Sequence, residues 1–177
     1  MSELRKANAD QTTYFITLTV VGWIDVFTRR NYADEIIKNL SYCQKYKSLE
    51  IYAYVIMSSH IHLLCRRCEG LLSDLIRDFK SYNAKEILRQ IFDNPFESRK
   101  DWLKVCFEYH ARFQGQNAEL MFWQKSNHPT EIMSPKMFRQ KMDYIHNNPV
   151  EAGIVTDPSY YYYSSANPLS PLKISKY

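Results

Sequence analysis

Two short stretches of this 177-residue chain carry side chains that could do chemistry. The first is His60-Ile61-His62, which follows the apolar run Tyr52-Ala53-Tyr54-Val55-Ile56-Met57. On a strand, residues i and i+2 share a face. Both imidazoles then point one way while Ile61 packs on the other side. Neutral imidazole is a common metal ligand, so two on one face make half a metal site. The second stretch is Asp143-Tyr144-Ile145-His146-Asn147-Asn148-Pro149-Val150. On a helix, Tyr144 and Asn148 are four apart and lie one above the other. A tyrosine hydroxyl is a candidate nucleophile, and an amide oxygen can ligate a hard divalent ion. Spacing alone decides little. Two strand histidines can equally be hydrogen-bonded structural residues, and every helix contains such pairs.

Other reactive side chains carry less. Cys65 and Cys68 form a single Cys-x-x-Cys, with no second pair at zinc-ribbon spacing, and read as ordinary strand-end residues. Strand alternation puts Cys65 on the face opposite the histidines, which counts against a zinc centre built from His60, His62 and Cys65 or Cys68. His146 is two residues from Tyr144 and points to another side of the helix, as a structural residue or a ligand contact. His128 sits in a turn.

The elements that must hold these groups are readable in order. Residues 13–21 are β-branched and aromatic, and predict the first strand. Ile36, Ile37, Leu40, Cys43 and Tyr46 recur at helical spacing within a helix over 32–47. Two strands follow, at 50–57 and 60–66. The polar break Ser58-Ser59 between them predicts an antiparallel hairpin. A second helix runs from Leu71 to Leu88. Its Arg77, Lys80, Lys85 and Arg89 could grip phosphates or be a solvated face diluted by Asp74, Asp78 and Glu86. Asp93-Asn94-Pro95 breaks it. A third helix is expected over Ser98–Phe113, a loop over Gln114–Glu119, a short strand over Leu120–Gln124 and an extended piece at Thr130–Ile132. Ser134 as N-cap and Pro135 at the first helical position open a last helix. It is expected to bury Met137, Phe138, Met142 and Ile145, and to end near Asn147, because Asn148 precedes a proline. The whole reads as one domain over 1–177, with a core at about 13–166 and a loosely held tail at 167–177.

Composition bounds the partners. The chain is 45% hydrophobic and 24% charged, which fits a globular domain. No apolar run approaches the ~20 residues of a membrane span. The polar first ten residues lack the apolar core of a signal peptide. A cytoplasmic protein is the expectation, and four cysteines do not suggest a disulfide framework there. A net charge of +4 permits a nucleic-acid partner without requiring one. Four glycines and no glycine-rich phosphate loop leave no sign of nucleotide-driven chemistry.

His60-Ile61-His62 behind Val55-Ile56-Met57 resembles the HUH motif: histidine, hydrophobic residue, histidine. Phe122-Trp123-Gln124, the block from Asp143 to Val150 and Tyr163-Ser164-Ser165-Ala166 extend the likeness from about Tyr14 to Ala166. Over that length the chain resembles the single-tyrosine HUH transposases of bacterial insertion sequences, in particular the REP-associated tyrosine transposase branch. The resemblance implies an α+β fold, an antiparallel sheet flanked by helices of the ferredoxin-like HUH endonuclease type. It implies DNA transposition by metal-dependent cleavage and rejoining of single-stranded DNA through a 5′-phosphotyrosine, with Mg²⁺ or Mn²⁺ as cofactor and hairpin-ended single strands as partner. By position, Tyr144 is the nucleophile and His60 and His62 are metal ligands. Asn148 stands where the family places a third ligand, glutamine in some members. Some relatives act as homodimers whose tyrosine helix faces the partner's histidines. The alternative is a domesticated protein that binds hairpin DNA without cutting it.

Overall fold

The structure, a computed structural model, describes residues 12–113 and 119–176. The polar N-terminal stretch and most of the expected Gln114–Glu119 loop lie outside the described residues. In chain order the elements are β1 (Tyr14–Thr19), α1 (Arg30–Tyr46), β2 (Leu49–Ile56), β3 (His60–Arg67), α2 (Leu72–Asp93), α3 (Lys100–Arg112), β4 (Thr130–Glu131) and α4 (Pro135–Glu151). The four strands form one antiparallel sheet in the order β2-β3-β1-β4. With α1 and α2 as crossovers this is the β-α-β-β-α-β arrangement of ferredoxin-like proteins, as expected from the sequence. Helix α3 is inserted before a β4 of two residues.

Strand alternation sorts the side chains into two layers. Ile16, Leu18, Ile61, Leu63, Tyr54 and Ile56 face one way, into a large cluster with α1, α2 and α3. Phe15, Val55, Met57 and Leu64 face the other way, under Phe138 and Ile145 of α4. A bulge between Ile51 and Ala53 gives β2 one extra residue. It places Tyr52 and Ala53 together on the α4 side, as an inserted residue must. The hairpin predicted at Ser58-Ser59 pairs Ile56 with Ile61 and Val55 with His62. That register puts His60 and His62 on the α4 face and leaves Ile61 wholly buried opposite.

Three stretches differ from expectation. Residues 120–124 are not a regular strand; Trp123 makes one isolated bridge to Val20. The segment instead follows β1 through scattered bonds, Gln124 N donating to Thr19 O and Thr17 N donating to Asn127 O among them. Lys80 holds it from α2: its ammonium donates to the carbonyls of Gln124 and Lys125 and to Asn127 Oδ1. Side chain-to-backbone anchoring replaces a ladder that His128, at φ 43°, and Pro129 interrupt.

Helix α4 does not stop at Asn147 but carries Pro149 inside it. A proline in a helix removes one donor and crowds one carbonyl. Here that loss falls in the last turn, where the Pro149 ring is buried on the same side as Ile145. The carbonyls of Asn148 and Pro149 are taken up by the amides of Ala152 and Ile154. Packing therefore outweighs the local preference of Asn148.

The tail is the third difference. It lies along the open edge of β2, with Ser165 N bonded to Tyr54 O, Ile56 N to Tyr163 O and Ser175 N to Ile51 O. Leu172 is buried in the large cluster. Unpaired edge groups need such a cover. No helix among the described residues is long and apolar enough to cross a membrane.

Candidate active site

The site forms where β3 and β1 run under α4. Ser134 opens that helix as expected, its Oγ accepting from Met137 N. Burial of Phe138 and Ile145 fixes its rotation, and a face three and four residues along then meets the histidines. The His60 and His62 rings are 4.8 Å apart, centroid to centroid. Tyr144 stands edge-on to His62 at 5.3 Å. Phe15 of β1 is the floor: it stacks on His62 at 5.3 Å and meets Tyr144 at 5.8 Å.

Both imidazoles are oriented by hydroxyls. Thr17 Oγ1 lies 2.9 Å from His62 Nδ1, and Ser59 Oγ lies 3.2 Å from His60 Nδ1. Each hydroxyl can accept the Nδ1 proton, which leaves Nε2 as the lone-pair donor. This is the arrangement by which neighbours orient a metal-binding histidine. Burial keeps the rings neutral. His62, 5% exposed, is pushed down to about 3, first by desolvation and then by the charges of His60 and Lys141. Burial lowers His60 as well, and the Asn148 side chain, reaching it from α4, opposes that shift. The structure thus brings His60, His62, Tyr144 and Asn148 together.

The donor set fits a hard divalent ion that completes its shell with water and phosphate oxygens. No group of three His, Cys, Asp or Glu is gathered among the described residues; the side chain that reaches the histidine pair from the end of α4 is the Asn148 amide. The cysteines lie elsewhere. Cys65 is fully buried on the far face, its thiol pushed up to about 12 by desolvation, and all four thiols are free. His146 bonds Ser165 Oγ at 2.8 Å and fastens the tail.

Tyr144 is 42% exposed, and no hydrogen bond engages its hydroxyl among the described residues. Tyr161, by contrast, donates to Ile56 O. Lys141, one helical turn before Tyr144, escaped the sequence reading. Its ammonium sits 4.4 Å above the Phe15 ring and 5.8 Å from that of Tyr144. No carboxylate pairs with it among the described residues. Its helical spacing to Tyr144 was visible; its position over Phe15 depends on how α4 crosses the sheet. The basic face of α2 is largely engaged. Arg77 pairs with Asp74 and Asp78, Arg89 with Glu86 and Asp93, and Lys80 is spent on carbonyls. A cavity of about 480 Å³ between α1 and α2, lined by Asn39, Tyr42 and Phe79, is on the other side of the sheet.

The depressed histidines predict an acid-sensitive fold. The unfolded chain takes up the proton at about 6.5, whereas folded His62 refuses it until about 3. The unfolded state therefore binds more protons between those values. Stability is full above pH 6.5 and is lost as the pH falls toward 3. From pH 7 to pH 5, His62 alone removes ~2 kcal/mol, and His60 and His146, lowered in the same direction, add to it. Urea unfolding at the two values measures this, and His62→Gln should flatten the slope. Equal stability at both would show that these rings are not buried in neutral form.

No protein-family model matches the chain, and no curated protein does. Several solved structures are similar to it, these two among them. One is a REP-associated tyrosine transposase bound to a REP hairpin, 20% identical, with a TM-score of 0.63 over 100% of this chain and 95% of that one. The other is a candidate transposase from Deinococcus radiodurans R1, 19% identical, with a TM-score of 0.48 over 83% of this chain and 97% of that one. At 20% identity the first likeness is one of fold: this chain is built as that transposase is, with an antiparallel sheet flanked by helices.

Proposed function

We propose that the protein cuts and rejoins single-stranded DNA through a covalent bond to Tyr144, as a transposase of the single-tyrosine type. The observation that carries this reading is the placement of a tyrosine with a free hydroxyl edge-on to a pair of neutral, hydroxyl-oriented histidines, with an amide one turn further on. The DNA-hairpin complex of the similarly folded transposase supports hairpin-bearing single strands as the substrate.

His60, His62 and Asn148 would hold Mg²⁺ or Mn²⁺, which supplies charge neutralisation and orientation at a non-bridging phosphate oxygen. The remaining work belongs to the chain. The Tyr144 oxygen attacks phosphorus in line, forming the tyrosyl O–P bond. The P–O3′ bond breaks, the 3′ oxygen leaves and takes a proton, and the phenolic proton passes to solvent. The 5′-phosphotyrosine keeps the energy of the broken linkage. A second 3′-hydroxyl reverses the step on a new strand. Phe15 holds Tyr144 and His62 in mutual register. Lys141, fixed over Phe15 beside a site for a dication, is an unfavourable neighbour for that ion until an anion comes between them. The scissile phosphate is that anion. Lys141→Met should therefore slow cleavage about 10²-fold, the scale of losing one electrostatic contact to a transition state, with hairpin affinity reduced far less. Lys141→Arg should recover part of the rate. Unchanged single-turnover rates for Lys141→Met would remove this role.

The test is incubation with hairpin-bearing single-stranded oligonucleotides and Mg²⁺ or Mn²⁺, followed by a denaturing gel. A covalent protein–DNA adduct is expected. Hairpin binding without any adduct would overturn the catalytic reading and favour a domesticated DNA-binding protein.

A further inference from the structure

Trp23 is exposed and strained, and it stands at the edge of the histidine site. Its backbone has φ 56°, a region that bulky side chains rarely adopt. It follows Gly22, at φ 60°, in a short 3-10 turn after β1. The left-handed backbone favours glycine at 22, and a Cβ there would also displace the tip of His110, whose Nε2 would lie 2.6 Å away. No such need applies to tryptophan at 23. The turn is pinned without its side chain. Val21 and Ile24 are buried on either side, Val20 N bonds Ser59 O and Val21 N bonds Phe122 O. The Trp23 ring is 60% exposed, so it contributes little to the core. One edge meets His60 at a centroid distance of 5.3 Å and an interplanar angle of 74°.

A large apolar ring held in water by a strained backbone is costly to the fold, and such strain persists chiefly where it serves a site. Here the ring flanks an imidazole that, by the reading above, would help hold the ion at the scissile phosphate. A nucleotide has its base a few ångströms from its phosphate. Aromatic faces bind unpaired bases by stacking, with little regard to sequence. We propose that Trp23 is a stacking platform for an unpaired base next to the scissile phosphate, an inference that rests on the site being a single-strand DNA centre. The platform would place that nucleotide relative to His60 before Tyr144 attacks, and would make cleavage depend on the strand being unpaired there.

The test pairs protein variants with altered substrate. The cleavage position of an oligonucleotide is first mapped with wild type. Oligonucleotides carrying one abasic nucleotide at each of the positions around it are then compared. Trp23→Gly should weaken binding and kcat/KM on the intact strand about 10-fold or more, and Trp23→Phe much less. At one abasic position wild type should lose a similar factor, and Trp23→Gly should add less than about 2-fold to it, because the two changes remove the same contact. The melting temperature of Trp23→Gly should be unchanged or raised, because glycine relieves the left-handed backbone. Equal Trp23→Gly penalties on intact and abasic strands would overturn the proposal, and so would a large fall in melting temperature. Should wild type neither bind nor cut single strands, the reading of the site falls, and this inference falls with it. Normal cutting with a silent Trp23→Gly sinks the inference alone.

Discussion

Tyr144→Phe is expected to give no covalent adduct, with cleavage below about one-thousandth of wild type, the scale on which losing a nucleophile acts. The substitution deletes one oxygen that no neighbour among the described residues uses, so the ring should keep its contacts with Phe15 and His62. Stability should stay within about 0.5 kcal/mol of wild type, as for other half-exposed positions. Hairpin affinity should be preserved, which separates chemistry from binding. The protein has fourteen tyrosines, so the assignment needs a reason to exclude the rest near the site. Tyr161 OH is committed to Ile56 O, and burial raises it. Tyr52 OH donates to Glu50, and burial together with that carboxylate raises it strongly. Both would be harder to ionise than a free tyrosine and both are tied to other acceptors. An adduct that survives Tyr144→Phe would mean that the helix packs where it does for structural reasons and that the nucleophile lies elsewhere.

The parts of this site legible in the sequence were those set by local periodicity. Alternation alone puts His60 and His62 on one face and Ile61 on the other, whatever the sheet packs against. Helical spacing alone puts Tyr144 and Asn148 on one side. Ser134-Pro135 marks the start of α4 because capping is a matter of a few adjacent residues. What the sequence did not disclose depends on distant partners. Thr17 and Lys141 reach His62 only through the β1–β3 register and the crossing of α4 over it. Pro149 looked like a terminator because its local cost is readable and its burial on the Ile145 side of α4 is not. The tail after Ala166 looked loose because its composition is that of a loop. Its order comes from the open edge of β2, which no local pattern in the tail reveals. The strand expected at 120–124 failed for a related reason: the residues are apolar because they face the core, and their backbone is satisfied by Lys80 and single bonds to β1 rather than by a ladder.

His60→Ala should abolish detectable nicking at millimolar Mg²⁺, a loss of about 10³-fold. Two protein ligands instead of three cannot fix the ion, and the charge it supplies at the phosphate is worth several kcal/mol. His60 is the better site for this test than His62. His62 is sandwiched between Phe15 and Tyr144 and nearly excluded from solvent. Its removal leaves a cavity under α4 and would lower stability as well as activity. His60 is half-buried, and its neighbours are Ser59, Trp23, Asn148 and the His62 ring. Truncation there should cost the fold little. Hairpin binding in EDTA should match wild type, since no metal takes part in it. A shallow recovery of nicking at high Mn²⁺ is expected, because Mn²⁺ binds nitrogen ligands more strongly than Mg²⁺ does. If His60→Ala cuts at the wild-type rate with the same metal dependence, the two histidines are structural. Tyr144 would then have to act on a phosphate whose divalent ion is held by groups other than this pair.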